Sequence, residues 1–428
     1  MAIGVLIAGR SPLRGRPMPR SPTEWAPTKR GFAADTALEP GLGSYNAGME
    51  LPPLSLYVHI PWCVRKCPYC DFNSHEARGA APEREYVDAL LADLAQDAPW
   101  AAGRHIQTVF FGGGTPSLFA PDSIARVIEG AHALVPIEAG AEITLEANPG
   151  TIEHGRFEGY RRAGVNRVSL GVQSFDDEAL RRIGRIHGAD EARRAVAEVR
   201  EGGIDNLNLD LMYALPGQDL TGALHDIEAA VALAPEHLSH YHLTLEPNTL
   251  FAAHPPALPD EDSAWDMQEA CQAALAGAGY AQYEVSAYAR PGRQCAHNLN
   301  YWRFGDYLGI GAGAHAKLSD ADGGIRRIWK LRHPRAYLAA AAGPARIGGD
   351  DPIAAAQLPF EFMLNALRLE GGFALAQYEA RTGQPARGLE AALGDAEARG
   401  WITRDGVEVT PTADGRRLMN DLIGLFMP

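Results

Sequence analysis

Short apolar runs alternate with amphipathic segments along the first half of the chain. The predicted strands are rich in β-branched and aromatic residues. They span residues 54–60, 106–111, 141–147, 166–173, 206–213 and 237–245. Helical patterns lie between them at residues 83–98, 121–135, 152–163, 177–201 and 221–233. In the first of these, Tyr86, Leu90 and Leu94 recur on one helical face.

This alternation predicts the fold class. Strands separated by helices of this length are typical of βαβ units and a parallel sheet. Six strands are too few for a closed eight-stranded barrel. We therefore expect an α/β protein with a partial, open (β/α)6 TIM-like barrel in residues 51–250. In such folds the chemistry gathers at the carboxyl ends of the strands.

The second half of the chain is predicted to hold two further regions. Residues 251–350 show no regular pattern, and we expect an irregular region there. Residues 351–428 are expected to form a small winged-helix-like α+β domain, with helices at 357–369, 373–382 and 386–399, a hairpin at 401–410 and a last helix. The last 77 residues carry ten acidic and seven basic side chains. A domain that binds in a groove of DNA should be basic. We therefore expect a domain that packs against the rest of the chain or docks a partner protein, and we do not expect nucleic acid as a partner.

The first 50 residues differ in composition from the rest. They are rich in arginine and proline and almost free of acidic residues before Asp35. Their arginine content is typical of a mitochondrial transit peptide, but the prolines would break its amphipathic helix. We therefore expect residues 1–50 to be a disordered extension. Translation from Met49 in the native host is an alternative.

Charge and cysteine content narrow the class of protein. The 428 residues carry a formal net charge of −14, which disfavours binding to nucleic acid or anionic membranes. No apolar stretch approaches the roughly 20 residues of a membrane helix. Three of the five cysteines lie within eight residues of one another. Such crowding indicates metal binding in a reducing compartment, so a cytoplasmic location is expected.

The three clustered cysteines are Cys63, Cys67 and Cys70, directly after the first predicted strand. Thiolates suit zinc or iron–sulfur centres. Three thiolates without a nearby fourth leave one metal position open. A structural zinc site would need a fourth ligand, for which His59 or His75 is available.

The CxxxCxxC spacing after the first strand of a βα array resembles the radical S-adenosylmethionine (SAM) superfamily. The resemblance implies a 4Fe–4S cluster on the three cysteines, with the open iron chelated by the amino and carboxylate groups of SAM. It also implies an electron donor and cleavage of SAM to a deoxyadenosyl radical. The run Gly112–Pro116 resembles the superfamily's motif for gripping the SAM amino group.

Several phrases resemble one branch of this superfamily, oxygen-independent coproporphyrinogen III oxidase and its relatives. They begin at Tyr57, Phe111, Leu145, Ser169, Gly184 and Asp210. By this resemblance, the residues expected to contact SAM are Tyr57, Tyr69, Gly113, Gly114, Thr115, Glu146, Gln173, Arg185 and Asp210.

Two departures from the oxidase pattern change the expected function. The oxidase has a fourth cysteine where this chain has Phe72. The phrase His297-Asn-Leu-Asn-Tyr301-Trp302 resembles the haem-chaperone branch, whose members are thought to bind haem and pass it to acceptor proteins. His297 is then a candidate iron ligand or haem anchor. The alternative is that its ring is a hydrogen-bonded packing residue.

Three functions therefore follow from the sequence. The first is a radical SAM haem chaperone with haem as cargo. The second is an oxidase that converts two propionates of coproporphyrinogen III, a tetrapyrrole, to vinyl groups. The third is a zinc-stabilised interaction protein.

Two smaller expectations concern the remaining histidines and cysteines. His240 and His242 share one face of the sixth strand, and we expect that face to line the cavity; the alternative is that both are hydrogen-bonded core residues. Cys271 and Cys295 are expected to be structural thiols.

Overall fold

The computed structural model describes residues 50–77, 79–151 and 155–428, so the predicted extension lies almost wholly outside the described residues. The strands are β1 (Leu54–Ile60), β2 (Trp62–Cys63), β3 (His75–Glu76), β4 (Ile106–Gly113), β5 (Ile137–Ala147), β6 (Arg167–Gln173), β7 (Leu207–Tyr213), β8 (His237–His242), β9 (Ala281–Glu284), β10 (Ala287–Ala289), β11 (Asp306–Ile310), β12 (His315–Ser319), β13 (Ile325–Lys330), β14 (Ile347–Pro352), β15 (Phe373–Ala374), β16 (Ile402–Asp405) and β17 (Glu408–Pro411). The helices are α1 (Glu83–Asp97), α2 (Pro121–Leu134), α3 (Arg156–Arg162), α4 (Asp177–Arg182), α5 (Ala189–Glu201), α6 (Leu220–Ala232), α7 (Leu250–Ala253), α8 (Glu261–Gly277), α9 (Ala296–Trp302), α10 (Pro334–Ala340), α11 (Leu358–Ala366), α12 (Leu375–Thr382), α13 (Glu390–Ala398), α14 (Ala413–Arg417) and α15 (Met419–Gly424).

The predicted partial barrel is confirmed. The six predicted strands are β1, β4, β5, β6, β7 and β8, and they are adjacent and parallel in that order. The sheet continues at both edges. It gains β11, β12, β13 and β14 beside β1, and β10 and β9 beside β8.

The sequence suggested that the stretch 251–350 is irregular, but it forms the helices α8, α9 and α10 and most of the residues of the edge strands. These strands are three to six residues long, as the five residues of β11 illustrate. Strands this short are too brief to give a clear alternating pattern, and pairing with the edges of the parallel sheet stabilises them.

Side chains alternate across the barrel wall. In β1, Leu54, Leu56 and Val58 enter the large core that the outer helices cover. Ser55, between the first two, faces the other way and accepts a hydrogen bond from the Thr108 hydroxyl of β4 at 2.8 Å. The interior of the barrel is consequently lined with polar side chains, which are able to hold polar ligands.

One predicted helix is divided. Residues 177–201 form α4 and α5, with Gly184 between them in a left-handed conformation at φ +75°. A Cβ at Gly184 would lie 2.6 Å from the Cδ of Pro68 in the cysteine loop. The break therefore lets the segment after α4 approach that loop closely.

The C-terminal segment has the predicted order of helices followed by a hairpin. The hairpin strands β16 and β17 are joined at Gly406, and β15 adds a third strand to their sheet. Phe362, Leu393 and Leu422 belong to a separate apolar core here, which also takes in Phe304 from the barrel side. No helix in the described part of the chain is long and apolar enough to cross a membrane.

A buried ionic network ties the sheet edge to α1. The Lys330 ammonium, at the end of β13, donates to Asp93 at 2.7 Å and to Asp97. Arg346 also donates to both carboxylates. The Tyr337 hydroxyl donates to the second oxygen of Asp93 at 2.7 Å. These groups satisfy one another, which is the condition under which charges are retained in a protein interior.

We expect Lys330→Met to lower the free energy of unfolding by about 3–5 kcal/mol, because it leaves two carboxylates partly uncompensated in the core. Urea unfolding monitored by circular dichroism measures the change. Arg162→Met, which removes the exposed Arg162–Glu158 pair, is the control and should have a much smaller effect. Equal effects of the two substitutions would contradict this account of the network.

Candidate iron–sulfur and cofactor site

The cysteine loop is closed by a very short parallel ladder. Cys63, in β2, lies opposite Glu76 in β3. The amide of His75 donates to the Pro61 carbonyl at 2.7 Å, and the amide of Ala77 donates to the Cys63 carbonyl at 2.9 Å. The eleven residues between the two strands form a loop near the carboxyl end of β1. All three predicted cluster cysteines lie on or beside this loop.

Lys66 stabilises the cysteine loop through hydrogen bonds to other residues of the loop and of β3. Its amide donates to a carboxylate oxygen of Glu76 at 3.0 Å. Its ammonium donates to the carbonyls of Phe72 at 3.0 Å and Ser74 at 3.3 Å. The sequence analysis did not identify this role. The only signal available was a basic residue inside the cysteine spacing, and such a residue is ordinarily solvated.

The thiols of the loop lie close enough to affect one another. Burial raises the pKa of Cys63 to about 11, with a smaller contribution from Cys67 and Cys70. Burial also raises the pKa of Cys70. A guanidinium nitrogen of Arg185 donates to the Cys67 sulfur at 3.5 Å. Ligation by iron would supply the positive charge that the thiolates need in this setting.

The donor set fits an iron–sulfur cluster by its chemistry. All three cysteines are reduced and half-buried, and thiolates are the usual ligands of such clusters. Within residues 50–77, 79–151 and 155–428, no three histidine, cysteine or acidic side chains are placed as ligands of a single metal ion. The assignment of the cluster therefore rests on the thiol donors and their position in the fold.

The glycine run brings the end of β4 against the cysteine loop. The amide of Gly114 donates to the Ile60 carbonyl at 2.8 Å, and the amide of Thr115 donates to the Trp62 carbonyl at 2.7 Å. A Cβ at Gly114 would lie 2.4 Å from that Trp62 oxygen. Gly113 has a φ of +114°. These contacts require glycine here and place backbone next to Cys63.

Two carboxylates lie inside the barrel beneath the loop. Glu146 accepts a hydrogen bond from the amide of Gly113 at 3.2 Å. Asp210 accepts from Ser169 and Asn208, each at 2.9 Å. Burial raises the pKa of Glu146 to about 7, with a further contribution from Asp210. Burial also raises the pKa of Asp210. Such carboxylates can accept hydrogen bonds from ribose hydroxyls.

Arg185 and Gln173 form the wall nearest Cys67. Arg185 donates to the Gly171 carbonyl at 2.5 Å, and its charge opposes the rise that burial causes in the pKa of Tyr69. Its Nε atom is buried without a hydrogen-bond partner within the described residues. Gln173 adopts a φ of +73°, an uncommon conformation for a residue with a side chain. A guanidinium with an unused donor fits a ligand carboxylate, such as that of SAM.

Tyr57 completes the predicted set. Its hydroxyl hydrogen bonds with His59 Nδ1 at 3.0 Å, and its ring lies beside Phe110. Its pKa is raised well above the usual value, chiefly by burial and secondarily by Glu146. The structure thus gathers the nine residues predicted to contact SAM around or beneath the three cysteines, as the strand-end rule implied. Their individual roles remain predictions.

His297 lies at the other end of the barrel. Its Nδ1 is 2.7 Å from the Thr108 hydroxyl, and its Nε2 is 2.8 Å from the Tyr301 hydroxyl. The side chain is 1% exposed. Thr108 and Gly113 are five residues apart in β4, or about 16 Å along a strand. Both ring nitrogens are therefore committed far from the cysteine loop. This geometry favours the packing interpretation over the iron-ligand interpretation, which stays a prediction.

The expectation for His240 and His242 is wrong. Both rings pack against Tyr213, at centroid distances of 4.7 and 5.1 Å. Tyr213 belongs to the core between the sheet and the outer helices. The two-residue period was correct, but the face was not, because Ser239 and Tyr241, rather than the histidines, share the inward face of Asp210 in β7. Tyr241, between them, has Asp210 among the groups that raise its pKa, after burial.

We expect Cys63, Cys67 and Cys70 to be required for cluster binding. Replacing all three by alanine should abolish the broad visible absorption and the iron and sulfide content of anaerobically reconstituted protein. The double variant Cys271→Ala, Cys295→Ala is the control, because both of these thiols are buried away from the loop. If the wild-type protein instead contained one zinc ion per chain and no iron or sulfide, the assignment of the cluster would be wrong and the zinc alternative would be favoured.

Glu146 should make the stability of the cofactor-free protein depend on pH. Its pKa is raised from 4.5 to about 7, so the folded state holds a proton that the unfolded state releases. Stability should fall as the pH rises from about 4.5 to about 7. Glu146→Gln should flatten this part of the profile and be relatively more stable at alkaline pH. Urea unfolding across that range measures it, and an unchanged slope would contradict the assignment.

Comparison with known proteins places this geometry in a family. The family model for the radical SAM superfamily matches residues 57–230, and that for the HemN C-terminal domain matches residues 353–418. Heme chaperone HemW of Escherichia coli (strain K12) is 49% identical over 379 residues, covering 89% of this chain and 99% of the relative. Heme chaperone HemW of Haemophilus influenzae is 46% identical, covering 88% and 99%.

The solved structure of coproporphyrinogen III oxidase (HemN) from Escherichia coli, a radical SAM enzyme, is also similar. It superimposes with a TM-score of 0.75 at 25% identity, covering 88% of this chain and 90% of that one. The radical SAM match implies a 4Fe–4S cluster and SAM as cofactors. The identity to the two chaperones along nearly their whole length shows that this chain belongs to the HemW family of the radical SAM superfamily.

Proposed function

We propose that this protein is a haem chaperone that binds haem and passes it to acceptor proteins. The observation that carries the proposal is the 49% identity to Heme chaperone HemW of Escherichia coli over 99% of that protein. The cysteine loop adds support. Phe72, at the position of the oxidase's fourth cysteine, presents a ring that is 37% exposed beside the cluster ligands.

The residues around the loop have defined tasks in this proposal. Cys63, Cys67 and Cys70 would hold three irons of the cluster, and SAM would complete the coordination of the fourth. When bound, the cluster supplies an electron to SAM. Arg185 would pair with the SAM carboxylate through its unused Nε donor. Glu146, buried and easily protonated near neutral pH, would hydrogen bond with the ligand as donor or acceptor.

The proposal includes partners and a location. A haem chaperone needs a haem-acceptor protein, and a reducible cluster needs an electron donor. We place the protein in the cytoplasm because its cluster thiols have to remain reduced before iron is inserted. Haem, a tetrapyrrole, is the cargo.

An oxidase is the second candidate. The observation in its favour is the similarity of the whole fold to HemN, with a TM-score of 0.75. An anaerobic assay with coproporphyrinogen III, SAM and a reductant discriminates between the two. Formation of protoporphyrinogen would favour the oxidase, and its absence together with haem transfer to an apo-protein would favour the chaperone.

The haem-binding test begins with reconstituted protein and haemin. We expect a retained Soret band after gel filtration of the wild-type protein. For His297→Ala, the packing geometry predicts an unchanged Soret band and a lower melting temperature, because two buried hydrogen bonds are lost.

Tyr301→Phe is the matched variant, since it removes only one of those bonds. Loss of the Soret band in His297→Ala but not in Tyr301→Phe would instead establish His297 as the iron ligand. A wild-type protein that retains no haem would contradict the proposed function.

A further inference from the structure

The hydroxyl of Ser74 lies against the sulfur of a cluster cysteine. Its Oγ is 3.8 Å from the Sγ of Cys70, and Ser74 is buried at the end of the cysteine loop. Between a free thiol and a hydroxyl, either group can donate the hydrogen bond. A cysteine that binds iron is a thiolate without a proton, so in the cluster-loaded protein the hydroxyl has to be the donor.

Contacts inside the loop fix the backbone of Ser74. Its amide donates to the Phe72 carbonyl at 2.6 Å, and its carbonyl accepts a hydrogen bond from the Lys66 ammonium at 3.3 Å. The next residue, His75, begins β3 and donates its amide to the Pro61 carbonyl. The Cβ of Ser74 therefore has a defined position, from which its short side chain reaches the sulfur.

Contacts outside the loop hold the preceding residue, Asn73. Its side-chain amide donates to the carbonyls of Ala312 at 2.9 Å and Arg332 at 2.8 Å. A Cβ at Gly313 would lie 2.3 Å from that amide nitrogen, so this approach requires glycine. The Asn73 carbonyl is 3.0 Å from His59 Nε2. Residues outside the loop thus set the position of the serine, and a donor that is already in place costs little to orient toward its acceptor.

We propose that the Ser74 hydroxyl donates a hydrogen bond to the cluster through the Cys70 sulfur and makes the cluster easier to reduce. Reduction adds one electron, and a hydrogen bond to a more negative acceptor is stronger. The bond therefore stabilises the reduced cluster more than the oxidised one, and hydrogen bonds to the sulfurs are among the factors that set cluster potentials. Ser74 acts through a ligand, so it is a positioning residue.

The charge around this sulfur supports the same role. Burial raises the pKa of Cys70, and both the Ser74 hydroxyl and the Lys66 ammonium oppose that rise. Both groups thus favour a negatively charged sulfur. The proposed role of Ser74 concerns the cluster and does not require haem, so it is independent of the proposed chaperone activity.

A redox titration followed by electron paramagnetic resonance tests the proposal on full-length protein that has been reconstituted anaerobically, without SAM, with dithionite as the reductant. We expect Ser74→Ala to lower the ratio of reduced to oxidised cluster at a given potential at least threefold, which is a negative shift of about 28 mV for a one-electron couple. Ser74→Thr keeps the hydroxyl and should keep the wild-type potential.

Ser319→Ala is the matched control. Ser319 is also a buried serine, and its hydroxyl donates to Asp306 at 2.9 Å. Asp306 pairs with Leu54 at the amino end of β1, which is the opposite end of that strand from the cysteine loop. This variant should have the wild-type potential. Iron and sulfide analysis and circular dichroism establish that each variant is loaded and folded.

Electron–nuclear double resonance detects the hydroxyl proton directly. After exchange into deuterated buffer, the reduced wild-type cluster should show a coupled deuteron that is absent in Ser74→Ala and retained in Ser74→Thr and Ser319→Ala. A wild-type potential in Ser74→Ala, or a shifted potential with no deuteron lost, would overturn the inference.

Two further outcomes would also overturn it. An equal shift of potential in Ser74→Thr or Ser319→Ala would mean that a general change in packing is responsible. A Ser74→Ala protein that takes up no cluster, beside a fully loaded Ser74→Thr protein, would assign the hydroxyl to cluster assembly instead. The haem-binding test of the proposed function stands apart from each of these results.

Discussion

The parallel pairing of two dipeptide strands is the contact on which the candidate site depends. β2 and β3 are held by two backbone hydrogen bonds, from His75 to Pro61 and from Ala77 to Cys63. Without these bonds the two ends of the cysteine loop would not be held together, and the three thiols would not be kept close to one another. Lys66 and the glycine run then act on a loop that is already closed. Loop closure is an entropic cost, and here backbone bonds and one ammonium group offset it.

Sequence patterns predicted the regular part of the molecule well. The six parallel strands have long apolar runs, and their bounds agree to within a few residues. The short edge strands β9 to β14 were missed because tertiary pairing, not local preference, stabilises them. The break at Gly184 was missed for a similar reason, since it serves a contact with Pro68, a residue 116 positions away.

The candidate site was predictable where a motif is local and not where it depends on packing. Cysteine spacing predicted the cluster ligands, and the family resemblance supplied the residues expected to contact SAM; the structure brings both groups together. His297 and the pair His240 and His242 were harder to interpret, because a histidine's function depends on what its nitrogens meet in the fold. Lys66 gave little signal, because its role comes from the carbonyls of Phe72 and Ser74, which only the folded loop brings to its ammonium.

The helix α9 restricts how a small molecule can enter and leave the interior of the barrel. Glu142 accepts hydrogen bonds from the amides of Ala296 and His297 at 3.1 Å, and Asn300 donates to Ser55 at 2.8 Å, so this helix lies across the amino ends of β1, β4 and β5. A small molecule in the polar interior would meet this helix at the amino ends of those three strands, so it would enter and leave more readily at their carboxyl ends. Two compounds bound in the interior would then leave one after the other. The release rate of the compound nearer the carboxyl ends would limit the release rate of the one bound more deeply.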